Sequence, residues 1–406
     1  WTTLLQGYES ENIANLCIRD EIPNSRVCSE YFSISENKVL KSIFKRGIKT
    51  GRKVESVENQ AEISSDLEEH NERYRKMRKK RRYSMLMARE LIWKFGNWHT
   101  VELDEFLDSF KPDIILHSME GYIHLNRIIE YSINRTGAKA VGYIWDDNFT
   151  YKQSSKIGYK IYRYFQRKSL KRLAKLTQAF FAISDMTKNE ADDYFGIDCQ
   201  VLTKPLNQVP FVDYKKLEKP IKILYTGNLL IGRDQSLVRL VNALKKVNKN
   251  QQNFTVDVYT KTVLDEKIKN TVDCDFCHIH EPVPQSEVLE LQKQADVLLF
   301  LEDIDGPDAH TARLSFSTKI TDYLSSGKCI FAIGCLDTAP MQYFIDNDAA
   351  VVASTDKEIE EGLLKISSDT DLLIDYAQRA RELGIKNHSK DVVLKVFDDT
   401  IRKTLN

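Results

Sequence analysis

"IKILYTGNLLIGRDQSLVRLVNALKKV", residues 221–247, decides the fold. It opens with a short apolar run that ends on a glycine, the pattern of a strand buried on both faces. From Asp234 to Val247 the apolar residues then recur at helical spacing. Further on, "FTVDVYT" (254–260) reads as a strand, and a helix near 285–293 leads into "DVLLFL" (296–301). The strand "CIFAIG" (329–334), a helix near 338–346 and "AAVVAS" (349–354) continue the alternation. Such an order predicts a parallel sheet with helices on both faces, a doubly wound α/β domain. Charged helices are expected from about 356 to 406.

The first half repeats the pattern with more decoration. "KPDIILHS" (111–118), "AKAVGYIW" (138–145) and "QAFFAIS" (178–184) are strands of the buried type. A linker at position 207, after the Pro205 turn, divides the chain into domains 1–206 and 207–406. Two units suit a length of 406 residues. Ligands of such sheets bind outside the carboxyl ends of the strands, so the cleft between the units is where function is expected.

Composition narrows the field. The formal net charge is zero, which argues against the whole chain being a nucleic-acid binder. No apolar run is long enough to span a bilayer, and no signal-peptide pattern is visible. The chain opens on Trp1 rather than a methionine, as it would if a leader segment preceded it. Seven scattered cysteines fit a reducing cytoplasm. "CDFCHIH" (274–280) crowds four zinc-type ligands together, whereas structural zinc takes separated pairs that close a loop. The stretch reads as a strand, and no metal site is expected.

"SFSTKITDYLSSGKCI" (315–330) carries the chemistry. A helix is expected to begin near Ser317, just after a strand. The first amides of a helix lack partners and favour anions. Ser315, Ser317 and Thr318 are small enough to let a phosphate approach, and Lys319 adds a full charge. Asp322, one turn further in, suits two vicinal hydroxyls such as those of a ribose. The plainer alternative makes Ser317 an N-cap and Asp322 a surface residue. Gly227 and Arg233 add a second phosphate-suited loop at a strand end.

Residues 220–355 resemble the nucleotide-binding domain of GT-B glycosyltransferases, family 4 type. "YTGNLLIGRDQSL", "IHEPVPQSEVLELQKQADVLLFL" and "SFSTKITDYLSSGKCIFAIG" follow that family's order. The resemblance implies a GT-B fold of two Rossmann-like domains. It implies transfer of a sugar from a nucleoside diphosphate sugar, of UDP or GDP type, to an acceptor hydroxyl, with no tightly bound cofactor. Asp322 falls on the family's ribose-binding carboxylate, and Val283 on the segment that holds the base. Phe316 lies within the diphosphate loop. Asn228 stands where the family has an arginine, leaving Arg233 as the nearest cation. Leu314 stands where the family has a second carboxylate. Glu302, Asp303, Asp305 and Asp308 in "EDIDGPDAH" are possible substitutes. On the acceptor side the candidates are His117, Glu120, Asp146 and Asp147, at the ends of "DIILHSME" and "GYIWDD"; each of them also suits a cap or a turn. The acceptor implied is a glycan or polyprenyl-linked glycan in bacterial surface polysaccharide synthesis, including capsule. An inactive GT-B-like subunit and a nucleotide-sugar epimerase are the alternatives.

Two segments are basic and aromatic, 73–98 and 152–175; the second has nine basic residues and no acidic one. That combination suits an anionic membrane surface at the inner face of the cell membrane. It also suits RNA or DNA, or a solvated face whose apolar stripe packs on the sheet. Membrane association of a cytoplasmic protein is the expectation, with no nucleic-acid partner.

Overall fold

A computed structural model describes residues 1–18, 27–54, 83–206 and 218–406. Position 207, residues 73–82 and most of the charged tract 50–82 lie outside the described residues.

The second half forms one parallel sheet of six strands. These are β8 (Ile221–Thr226), β9 (Phe254–Tyr259), β10 (Cys277–His280), β11 (Val297–Leu301), β12 (Cys329–Ile333) and β13 (Val351–Ala353). Their order is β10-β9-β8-β11-β12-β13. The winding direction therefore reverses between β8 and β11, and the carboxyl ends of those two strands open the crevice where such sheets bind ligands. Helix α7 (Arg233–Val247) covers one face. Its Leu237, Leu240, Val241 and Leu244 are fully buried at i, i+3, i+4 and i+7. Each such burial is worth about 1.5–3 kcal/mol. Helix α10 (Thr318–Ser326) covers the other face through Ile320, Tyr323 and Leu324, and stops at Gly327, whose φ of 67° is left-handed.

The first half has two sheets. Strands β4 (Ile114–Ser118), β5 (Lys139–Ile144), β6 (Ala179–Ala182) and β7 (Cys199–Val201) are parallel and lie in chain order. A smaller sheet joins β1 (Ala14–Cys17), β2 (Glu30–Ile34) and β3 (Gly51–Val54). The chain crosses back at its end. The final helix, Lys390–Leu405, buries Val393, Phe397 and Ile401 against Val141, Tyr143 and Phe181 of the first sheet.

The cysteine-histidine stretch is structural. Cys277 is buried in the core, and it exchanges backbone hydrogen bonds with Cys274. His280 bonds Asp257 at 2.7 Å and stacks on Tyr259. Among the described residues no cluster is placed to hold a metal ion.

Candidate functional site

Five sequence-predicted residues meet at the β8/β11 crevice. Gly227 follows β8 with a φ of 144°, a region that only glycine adopts freely. A Cβ there would lie 2.1 Å from Lys319 Nζ, so the lysine passes directly over the bare backbone. Arg233 opens α7, and Asn228 accepts a 2.9 Å hydrogen bond from its Nη1. Glu302, one residue beyond β11, takes the rest of the guanidinium at 2.9–3.2 Å. Glu302, considered above for the missing carboxylate, thus serves as the partner of Arg233.

Lys319 is different. Its ammonium sits 4.3 Å from the centre of the Tyr225 ring, and among the described residues no carboxylate bonds it. Its pKa is lowered to about 8, chiefly by burial and also by nearby Arg233, with Glu302 opposing. Ser317 is the N-cap of α10, its hydroxyl accepting from the Lys319 amide at 3.3 Å. The cap and the anion site are therefore compatible, since one hydroxyl satisfies one amide of the first turn. Phe316 turns away from the crevice and packs edge-on to Tyr343 and against His388. Val283 lies in the loop after β10, at the far end of the same row of strand ends.

Asp322 is half-buried on α10 and receives Lys204 Nζ at 2.8 Å. Lys204 follows β7, so a residue from the first half reaches the proposed ribose carboxylate. No local sequence pattern announces this pair, because the partners lie 118 positions apart.

Between the halves stands a cluster that sequence reasoning missed. Arg313 is fully buried. Its guanidinium meets Glu190 at 2.5 and 2.7 Å, Asp147 at 3.6 Å and Asp337 at 4.0 Å. These carboxylates outweigh desolvation, so its pKa is raised. Its Nε alone lacks a hydrogen-bond partner. The next residue, Leu314, is buried among Met119, Phe149 and Phe180 of the first half, and its carbonyl accepts from Thr187 at 2.9 Å. Ser315 donates to Asp146 at 2.6 Å. The loop before α10 is thereby bolted to the first domain.

The acceptor-side candidates separate accordingly. Asp147 is fully buried, accepting from the amide and hydroxyl of Thr150 and facing Arg313. Asp146 holds Ser315. His117 lies inside the first domain, 3.1 Å from Thr177 Oγ1, with its pKa lowered by burial to about 4. Glu120 is half-buried after β4 and accepts from Ser118 at 3.0 Å. Of the remaining loop acids, Asp303 accepts from the amides of Gly306 and Asp308, and Asp305 pairs with Arg239. Asp308 accepts from Thr311.

No protein-family model matches the chain, and no curated protein sequence matches it. Solved structures do. One is the GtfA/B complex, at 12% identity and a TM-score of 0.55, covering 75% of this chain and 60% of that one. Another is the apo form of WaaB, a lipopolysaccharide outer core galactosyltransferase, at 14% identity and a TM-score of 0.54, covering 78% and 81%. A third is Anabaena HepE in complex with UDP-glucose, at 11% identity and a TM-score of 0.53, covering 74% and 82%. The chain spans about 60% of the GtfA/B chain it matches. At such identities the likeness concerns architecture, and the architecture is GT-B: two Rossmann-like domains facing a cleft.

Proposed function

We propose that the chain is a glycosyltransferase of family 4 type. It moves a hexosyl group from a UDP- or GDP-type sugar nucleotide to a hydroxyl of a glycan or polyprenyl-linked acceptor. The setting proposed is surface polysaccharide synthesis at the inner face of a bacterial membrane. The observation that carries this reading is Lys319, a half-buried ammonium with no carboxylate bonded to it among the described residues, held over Gly227 at the switch point. A partly desolvated cation without a counter-charge favours an arriving anion.

In this reading the diphosphate lies between Lys319, the first amides of α10 and the Gly227 backbone. Negative charge grows on the leaving diphosphate as the glycosidic bond breaks, and cations and amides already in place stabilise it. Arg233 contributes at one remove, since Glu302 neutralises much of its charge. Asp322, steadied by Lys204, takes the ribose hydroxyls, and the Val283 loop takes the base. Glu120 and Asp146 are the carboxylates proposed to orient the acceptor. His117 and Asp147 act in this scheme through packing.

One observation favours a second reading, a GT-B-like subunit without activity of its own. Leu314 replaces a carboxylate and is fully buried in the first domain. The test is thermal stability with UDP, GDP, ADP, CMP and the matching sugar nucleotides. A ligand at about 100 times its Kd stabilises by roughly 2.7 kcal/mol. One diphosphate is expected to raise the midpoint of the wild type and to leave Gly227→Ala and Asp322→Ala unmoved. If none shifts the wild type, the inactive-subunit reading replaces this one.

A further inference from the structure

Helix α2 (Tyr83–Phe95) buries Glu90 and Trp93, a carboxylate beside an apolar ring. Its inward face carries a carboxylate. Glu90 is buried and accepts from the amides of Ile123 and His124 at 3.0 and 2.8 Å, capping the helix Ile123–Thr136. The same carboxylate takes His124 Nδ1 at 3.0 Å and the Tyr162 hydroxyl at 3.3 Å. Trp93 packs inward with it, yet a second apolar stripe faces water. Met85, Ala88, Leu91 and Phe95 recur every three or four residues and are exposed, Phe95 to 67%.

This stripe has company. Helix α2 packs between α1 (Glu36–Phe44) and α5 (Ile157–Ala174). On α1, Leu40 and Phe44 are exposed, Phe44 to 85%. On α5, Ile157, Ile161 and Phe165 are exposed, Ile157 to 79%. Surface helices normally hide such a stripe. The surrounding charge is mainly basic, and Glu36, the one acidic residue of α1, is paired with Arg89. Residues 37–54 and 148–184 contain no acidic residue. Lys38, Lys41, Lys45 and Lys160 are exposed and make no ion pair among the described residues.

We propose that α1, α2 and α5 form one docking face for an anionic lipid bilayer. Phe44, Phe95 and Ile157 enter the boundary between headgroups and acyl chains, and the lysines meet lipid phosphates. The charge selects this occupant, because a second copy would bring two cationic rims together. The two basic segments were legible in the sequence, but the part played by α1 and the outward turn of α2 come from the fold. The inference does not depend on sugar transfer, since vesicle binding needs no donor.

The experiment is co-sedimentation of the whole chain with phosphatidylcholine vesicles and with vesicles containing about one third phosphatidylglycerol. The variants are Phe44→Ser/Phe95→Ser/Ile157→Ser and, separately, Lys38→Gln/Lys41→Gln/Lys45→Gln. The wild type is expected to bind only the anionic vesicles. Each variant should lose at least about tenfold in binding, the lysine variant up to about a hundredfold, while keeping its thermal midpoint and any response to nucleotides. Absence of wild-type binding overturns the proposal. So does serine-variant binding equal to the wild type, which would mean adsorption by charge alone. A wild-type dimer that the serine variant dissolves overturns it too, assigning the face to self-association.

Discussion

Arg313 and Lys319 lie in one loop and the helix it starts, and the protein treats them in opposite ways. Arg313 is wholly buried among Glu190, Asp147 and Asp337, and its pKa is raised. Lys319 has an aromatic ring beside it and no bonded carboxylate, and its pKa is lowered to about 8. A buried cation with matched carboxylates is finished; its job is to hold structure. A half-buried cation without them leaves room for an anion from outside, as proposed above.

The largest break in this comparison is Arg313→Met. It strands the fully buried Asp147 at the domain junction without its counter-charge and leaves Glu190 with Lys152 alone. Removing one member of a buried pair costs about 3–5 kcal/mol. Urea denaturation should show a loss of that size. A loss under about 1 kcal/mol would mean that water already relieves these carboxylates, and the contrast with Lys319 would collapse.

Lys319→Met should act in the opposite sense. It removes a half-buried charge without a counter-charge and leaves an apolar chain of similar length, so the unliganded protein should gain about 0.5–2 kcal/mol. Its response to a diphosphate should vanish. A variant both less stable and still responsive would show Lys319 to be structural, like Arg313.

Why was Lys319 legible and Arg313 not? The signals for Lys319 are local: a strand, small hydroxyl residues, a lysine and Gly327 fall within one short stretch, and helix-capping chemistry places them. Gly227 and Arg233 likewise follow from one strand-loop-helix unit. Arg313 draws its meaning from Glu190, 123 positions away, and from Asp147. Nothing in "HTARLSF" (310–316) distinguishes it from a surface arginine. The same logic explains His117. A histidine at a strand end suits a cleft, yet only the three-dimensional packing shows Thr177 beside it inside the first domain. Alternation of strands and helices revealed both doubly wound halves, whereas the short strand β7 and the three-stranded sheet carry too little pattern to announce themselves.

pH sharpens the comparison further. The unfolded lysine titrates near 10.4 and the folded Lys319 near 8. Between those values the unfolded state holds a proton that the folded state has released, so this group's contribution to stability rises with pH. Diphosphate binding needs the ammonium and should move the other way. Affinity for UDP, or whichever diphosphate binds, should fall on the order of tenfold per pH unit once pH passes about 8, until the pKa of the complex is reached. Calorimetry in two buffers should register proton uptake on binding. A flat affinity from pH 7 to 9.5 would mean that Lys319 is not the group facing the phosphates.

The smallest effect concerns Lys204. Its bond to Asp322 is partly exposed, and such pairs contribute roughly 0–1 kcal/mol. Lys204→Met should therefore barely move the thermal midpoint. Its consequence should appear in binding. Without the ammonium, Asp322 loses the contact that fixes one of its oxygens, and the ribose meets a carboxylate free to turn. A few-fold loss of affinity for the nucleoside diphosphate is expected, with almost none for inorganic pyrophosphate, which has no ribose. Equal losses for both ligands would make Lys204 a general electrostatic contributor. A loss confined to the nucleotide would show that the first domain reaches across the cleft to set the ribose site, and that donor binding reports on how the two halves are held together.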